Sequence, residues 1–307
     1  MTRVRLLAAL AYALLVAGCG LGPGATRSGG GAQLHITRDF GNQVLGSARQ
    51  AKVRESDTVM RFLQSKAKTT TRYGGGFVQS IDGIAGSHSN GPHDWFYFVN
   101  GVEAPTGAAT RKLAPGDVVQ WDYRDWQATP HVPAIVGAYP EPFVHGQEGK
   151  RYPTRVECAP SEKACEKVAA ELESAGVPAG IGVMGAEAKG SVLRIEVGTW
   201  HNLKELTDLG VLTQGPGASG VYARFTPGGV LQLLDEGGHP ARQAPPGTGL
   251  VAAIIPTGQQ PLWVVTGVDE AGVARAAGAL RPAILRNAYA VAATPSGPVR
   301  LPVRAGG

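Results

Sequence analysis

Charge is scarce in this chain of 307 residues: only 17% of them are charged, and the formal excess is +5. Arg3 and Arg5 lie in a leader-like segment, and without them about +3 remains, with no basic helix or Lys/Arg cluster. That balance argues against a nucleic-acid partner. Cysteine is scarcer still, with three in all. Cys158 and Cys165 have six residues between them, unlike the two of a redox or zinc-knuckle motif, and no histidine stands close by. The punctuation of common active sites is missing too. No Gly-x-Gly-x-x-Gly run opens a helix and no Gly-x-Ser-x-Gly marks a nucleophile elbow. Asp235 and Glu236 are adjacent, so in a strand they would point to opposite faces and could not share one glycosidic bond. The expectation is a protein that is not an enzyme, with no cofactor and no metal site.

What is present is apolar residue, glycine and proline. A hydrophobic content of 43% suffices for packed cores, and 44 glycines with 22 prolines belong in turns between short strands. The length fits about two domains of roughly 150 residues each. Residues 1–19 read MTRVRLLAALAYALLVAGC, a charged start followed by an apolar run too short to span a bilayer. Its Val-Ala-Gly-Cys end resembles a bacterial lipobox, which implies diacylation of Cys19 and a lipid anchor on the extracytoplasmic face of the cell membrane. Residues 20–32, GLGPGATRSGGGA, read as a flexible tether. With Cys19 acylated, Cys158 and Cys165 form an even pair in an oxidising compartment, and a disulfide between a strand end and the first turns of a helix is expected.

The few aromatics are concentrated in DWFYFVNG, residues 94–101. Aromatic and β-branched side chains suit a pleated strand, and Asn100-Gly101 is a strong signal for a two-residue hairpin. Alternation places Trp95, Tyr97 and Val99 on one face, Phe96 and Phe98 on the other. One face can meet the helix of the domain. The second needs a partner segment, another domain or a ligand. Around this strand, residues 33–126 spell two strands, a helix starting near Ser56-Asp57, and three or more further strands, an α+β arrangement of β-grasp type.

The runs YGGGFVQSIDGI, DWFYFVNGVEA and GAATRKLAPGDVVQWDY resemble the carboxy-terminal domain family of transcobalamin and intrinsic factor and its bacterial relatives. The resemblance covers about a third of the chain. It implies an extracellular β-rich module, and in the vertebrate carriers the equivalent domain covers one face of cobalamin against a large helical barrel, which has no counterpart here. For a flat ligand such as a corrinoid, stacking rings are the natural contacts. The candidates are Tyr73, Trp95, Tyr97, Tyr123 and Trp126, with Phe77 and Trp121 beside them. Core packing is the competing role for Phe77, Trp95 and Trp121, and contact with the second domain for Tyr123 and Trp126. His88 and His93-Asp94 offer loop ligands without the spacing of a known metal site.

Residues 127–152 carry Pro130, Pro133, Pro140 and Pro142 and read as a Pro-rich interdomain linker laid over both domains. Residues 153–307 read as a second α/β or α+β domain with a mixed sheet. Strands are expected over 154–158 and 191–197, and helices over 161–175, 203–209 and 271–280, the last capped by Asp269. Hairpins are expected over 220–234, 250–266 and 289–303. The functional expectation is a membrane-anchored small-ligand binding module that delivers its ligand, a corrinoid by resemblance, to a transporter. The alternative is a cell-surface interaction or envelope protein without a small ligand.

Overall fold

The computed structural model describes residues 26–87, 91–159, 163–185 and 191–304. The expected lipidation site, Cys19, and His88 lie outside these residues. The chain is α+β and forms two sheet units.

In the first unit, β1 (Ala32–Arg38) and β2 (Gln43–Gln50) pair as an antiparallel hairpin. The helix α1 (Val59–Gln64) follows. Its cap is Thr58 rather than Ser56 or Asp57: the Thr58 hydroxyl accepts from the Arg61 N–H. Val59, Met60, Phe62 and Leu63 are buried in the core of the unit. A small antiparallel sheet comes next, formed by β3 (Thr69–Arg72), β4 (Phe77–Ile81) and β5 (Ile84–Ala85). The aromatic strand is β6 (His93–Val99), and it turns through Asn100 and Gly101, both at positive φ (52° and 78°), into β7 (Val102–Glu103). Finally β8 (Val118–Asp125) inserts between β1 and β6, parallel to the first and antiparallel to the second. The five-stranded order is β2-β1-β8-β6-β7.

The second unit is built on a seven-stranded mixed sheet. It contains β9 (Thr154–Cys158), β10 (Ala179–Val183), β11 (Leu193–Thr199), β15 (Gly249–Ile254), β16 (Leu262–Gly267), β17 (Ala290–Thr294) and β18 (Gly297–Leu301), in the order β10-β9-β11-β16-β15-β17-β18. The first four positions run parallel and the rest antiparallel. Helices α2 (Ala164–Ser174) and α5 (Glu270–Gly278) share one core with Val156, Ile195 and Trp263. Asp269 caps α5 as expected, accepting from the Gly272 N–H at 2.7 Å. The opposite core collects α3 (Trp200–Leu203), a 3-10 segment (Thr207–Thr213) and the strands β12 (Ala223–Phe225) and β13 (Leu231–Leu234); α4 (Pro216–Ser219) precedes β12, and the exposed β14 (Pro240–Gln243) pairs with β13. The single helix expected over 203–209 is thus two short pieces, because Leu203, Leu209 and Leu212 must each turn into one core. Asp235 and Glu236 lie in the turn after β13, not in a strand. A disulfide joins Cys158, at the end of β9, to Cys165, in the first turn of α2.

The Pro-rich connection runs without regular structure to residue 136 and then coils through consecutive turns over 137–145, rather than staying extended, and it is a packed strap. Val132, Ala134, Ile135, Val136, Tyr139 and Phe143 are buried. Its backbone bonds to both sides: the Ile135 N–H donates to the Gly101 carbonyl, the Val136 N–H to the Tyr289 carbonyl. Buried main-chain groups need such partners, and prolines reduce how many are required.

Candidate ligand-binding site

The β6–β8 ladder orders the aromatic residues. On its inner face, Trp95 is buried among the core residues, and its indole N–H donates to the Ile84 carbonyl at 2.9 Å. Tyr97 stacks on Trp121 with ring centroids 4.8 Å apart, and its hydroxyl donates to the Thr106 carbonyl. Burial pushes the Tyr97 phenol up to about 12. Tyr123 lies between His93 (5.5 Å, stacked) and Trp95 (5.4 Å), with its hydroxyl donating to the Ala85 carbonyl at 3.0 Å. Trp126 is half-buried just past β8, where its main-chain N–H donates to the Pro92 carbonyl.

Tyr73 stands apart from these. It begins the turn between β3 and β4, is 86% exposed, and has φ +52°. Its ring meets Phe77 edge-on at 6.4 Å, and Phe77 is itself 40% exposed. Phe77 is therefore a surface residue, and its alternative as a core position does not hold. Trp95 and Trp121 are core residues, as their alternative reading had it. The Gly107 backbone lies against the Gly76 carbonyl, so the Tyr73–Phe77 pair and the Tyr97 hydroxyl flank one loop, residues 105–110.

The outer face of the aromatic strand meets the second unit. Phe98 packs on Tyr289 (centroids 5.5 Å), and Phe96 lies under the Arg124 guanidinium, 3.8 Å from its centroid. Phe40 closes this contact against Tyr222 (4.9 Å) and Tyr289 (5.2 Å). Charged residues sit in the same seam. Asp122 accepts from the Thr37 hydroxyl (2.6 Å), the Gly41 N–H (3.0 Å) and the Tyr289 hydroxyl (3.0 Å). Burial outweighs these bonds and pushes its carboxyl up to about 6. Arg124 donates to the Thr129 and Pro130 carbonyls of the strap. A Cβ on Gly41 would fall 1.7 Å from the Asn287 carbonyl oxygen, and Gly41 has φ +76°, so this approach requires glycine.

A second polar cluster escaped the sequence reading. Arg155-Val156-Glu157 on β9 and Arg194-Ile195-Glu196 on β11 pair in parallel register, Arg beside Arg and Glu beside Glu. The repeated Arg-apolar-Glu triplet is the signal that reveals it. Arg155 binds Glu157 along its own strand, and Arg194 reaches Asp208 at 2.8 Å. Glu157 and Glu196 are fully buried neighbours. Burial, then the hydrogen bond and charge of Glu157, holds Glu196 far above the usual carboxylate range, so the pair keeps a proton. Among the described residues no group of His, Cys, Asp and Glu is arranged to hold a metal ion, and no helix is long and apolar enough to cross a membrane.

Among curated proteins, none matches this chain. Residues 56–125, from just before α1 to the end of β8, match the model of a domain of unknown function, DUF4430, a family associated with transcobalamin-like domains. That segment holds the hairpin and all five candidate aromatics except Trp126, while β1, β2 and the second unit lie beyond it.

Proposed function

We propose that this protein is a lipoprotein, anchored through Cys19 on the extracytoplasmic face of the cell membrane, whose first unit captures a small flat ligand for a transporter, with a corrinoid as the first candidate. The exposed Tyr73–Phe77 pair carries the reading. A non-glycine residue in the left-handed region costs on the order of 1–3 kcal/mol, and an outward ring returns nothing to the core. Such a residue makes sense as a stacking surface. The corrinoid class comes from the resemblance of this same segment, residues 56–125, to the transcobalamin and intrinsic-factor domain family. Tyr97 and Tyr123 spend their hydroxyls on Thr106 and Ala85, so their part is to shape the rim. Trp95, against the Tyr123 ring, belongs to the core behind them.

The test uses the chain from Gly20 onward, which keeps every described residue, titrated with cobalamin and cobinamide by calorimetry and corrin absorption. Saturable micromolar binding that Tyr73→Ala weakens, with the unfolding midpoint unchanged, is the expected result. No binding at millimolar ligand sinks the corrinoid assignment. In the producing cell, Cys19→Ala should move the protein from the membrane to the soluble fraction. The β10 edge favours a second reading. Ile181 and Val183 are 57% and 69% exposed on the terminal strand of the large sheet. An edge with apolar side chains suits strand addition by a protein partner, and a partner captured there would make the chain a surface-interaction protein.

A further inference from the structure

The half of the first sheet not covered by the second unit lines a cleft of about 1070 Å³. Its floor is the outer face of β1 and β2, where Gln33 pairs with Arg49 and His35 with Ser47. The strap contributes Tyr139, Glu141 and His145, and the turn after α6 (Pro282–Leu285) contributes Arg286. In volume this is at the upper end of small-molecule sites.

The charge in the cleft is unbalanced. Glu141 is buried and committed to His145, accepting from its ring nitrogen at 2.6 Å and from its N–H at 2.9 Å. Arg49 and Arg286 have no such commitment: among the described residues no carboxylate pairs with either guanidinium. Both act on His35, which is half-buried at the floor, and burial followed by Arg286 and then Arg49 holds its imidazole below the ordinary value. Three nitrogen-bearing side chains from two strands and a distant turn thus line one cleft, and among the described residues neither arginine has a carboxylate partner. Both guanidinium groups are exposed at the mouth of the cleft, so water satisfies them and leaves them available to an anion. Paired guanidinium forks match the geometry of phosphate and carboxylate oxygens.

We propose that this cleft is a binding site for an oxyanion, a phosphate or carboxylate carried on an organic body, with Arg49 and Arg286 as the clamp and His35 as the hydrogen-bond donor at the floor. The site is separate from the Tyr73–Phe77 rim and does not depend on what that rim binds. Because Gly31 and Ala32 line the same cleft at the start of β1, an anchor at Cys19 would hold the site near the membrane. The phosphate then has two possible sources, a free ester or a phospholipid headgroup.

The experiment follows the His35 imidazole by NMR in the chain from Gly20 onward, with His35→Gln to assign it. Inorganic phosphate and glycerol phosphate are added in one arm, and vesicles of phosphatidylglycerol and phosphatidylcholine are floated with the protein in the other. Saturable millimolar or tighter binding with an upward shift of the His35 titration is expected. Arg49→Ala and Arg286→Ala should each weaken it by about tenfold, the effect of losing one charge-assisted hydrogen bond. Tyr73→Ala should change nothing, which separates this outcome from failure of the corrinoid assignment. A response to the free esters alone identifies a soluble ligand, and Arg-dependent flotation identifies a lipid headgroup. No His35 response in either arm, or binding that survives the double arginine variant, overturns the proposal.

Discussion

One sheet face has two fates in this molecule. Over β6 and β8 the outer face of the first sheet is sealed by the second unit, and its charged residues are tied into fixed bonds: Asp122 to Thr37, Gly41 and Tyr289, Arg124 to the strap. Over β1 and β2 the same face opens into the cleft, and Arg49 and Arg286 lack carboxylate partners among the described residues. In the sealed half, polarity fixes how the units dock, since a buried charge without partners is costly. In the open half, water satisfies the cations at little cost, and that leaves them available to a ligand.

The sharpest way to break this contrast is to open the seam. Phe98→Ala removes a fully buried ring that touches Tyr289 and should cost about 3–5 kcal/mol in a denaturant titration. If the units docked loosely, the cost would fall near that of a surface substitution, and the seam would not be a structural joint.

The pattern of the seam was legible, but its occupant was not. Alternation along β6 separated Trp95, Tyr97 and Val99 from Phe96 and Phe98, and the structure keeps that division. The same period makes Gln120, Asp122 and Arg124 face outward on β8, yet nothing local says whether water, ligand or protein meets them. That depends on Tyr289 and Asn287, more than 160 residues away. The hairpin at Asn100-Gly101, the Asp269 cap and the Cys158–Cys165 bridge were legible because each is set by adjacent residues or a short loop. Strands β3 and β10 were missed. The first is a run of threonines, and the second has glycine at two of its five positions and is largely exposed, so neither shows a hydrophobic period. For the candidate site, sequence found the aromatics but left Trp95 open between ligand and core, because only burial separates a core ring from a rim ring. The cleft was invisible, since its cations come from residues 49 and 286.

A gentler probe of the sealed half is pH. The Asp122 carboxyl is raised from 3.8 to about 6 in the folded chain. A raised carboxyl contributes stability that is fully present below its unfolded value and is lost as pH climbs through the folded value. Between those pH values the seam should weaken by up to about 3 kcal/mol. Asp122→Asn keeps an acceptor for Thr37 and Gly41 and should flatten this dependence in unfolding curves taken across the window. An unchanged slope would assign the titration to another group.

The Glu157–Glu196 pair gives the same sign within the second unit, independent of the seam. Glu196 is held protonated well above its ordinary value of 4.5, so its contribution declines as pH rises from that point. Glu196→Gln retains a neutral hydrogen-bonding group beside Glu157 and should stabilise the chain by at least about 1 kcal/mol at mildly alkaline pH. Its benefit should vanish in acid. A variant that destabilises equally at all pH values would mean that Gln cannot reproduce the contacts of the protonated acid.

The smallest expected change tests the open half. Arg49 and Arg286 are exposed, and the Arg286 carbonyl, not its side chain, accepts from Arg300 at 2.7 Å. Replacing both guanidinium groups with alanine should therefore shift stability by no more than about 0.5 kcal/mol, even as oxyanion binding is lost. The His35 titration should move up in the ligand-free double variant, because both guanidinium groups help to hold it down. A loss as large as that of Phe98→Ala would mean that the arginines brace the two units. The open half would then be a second structural joint, and its contrast with the sealed half would disappear.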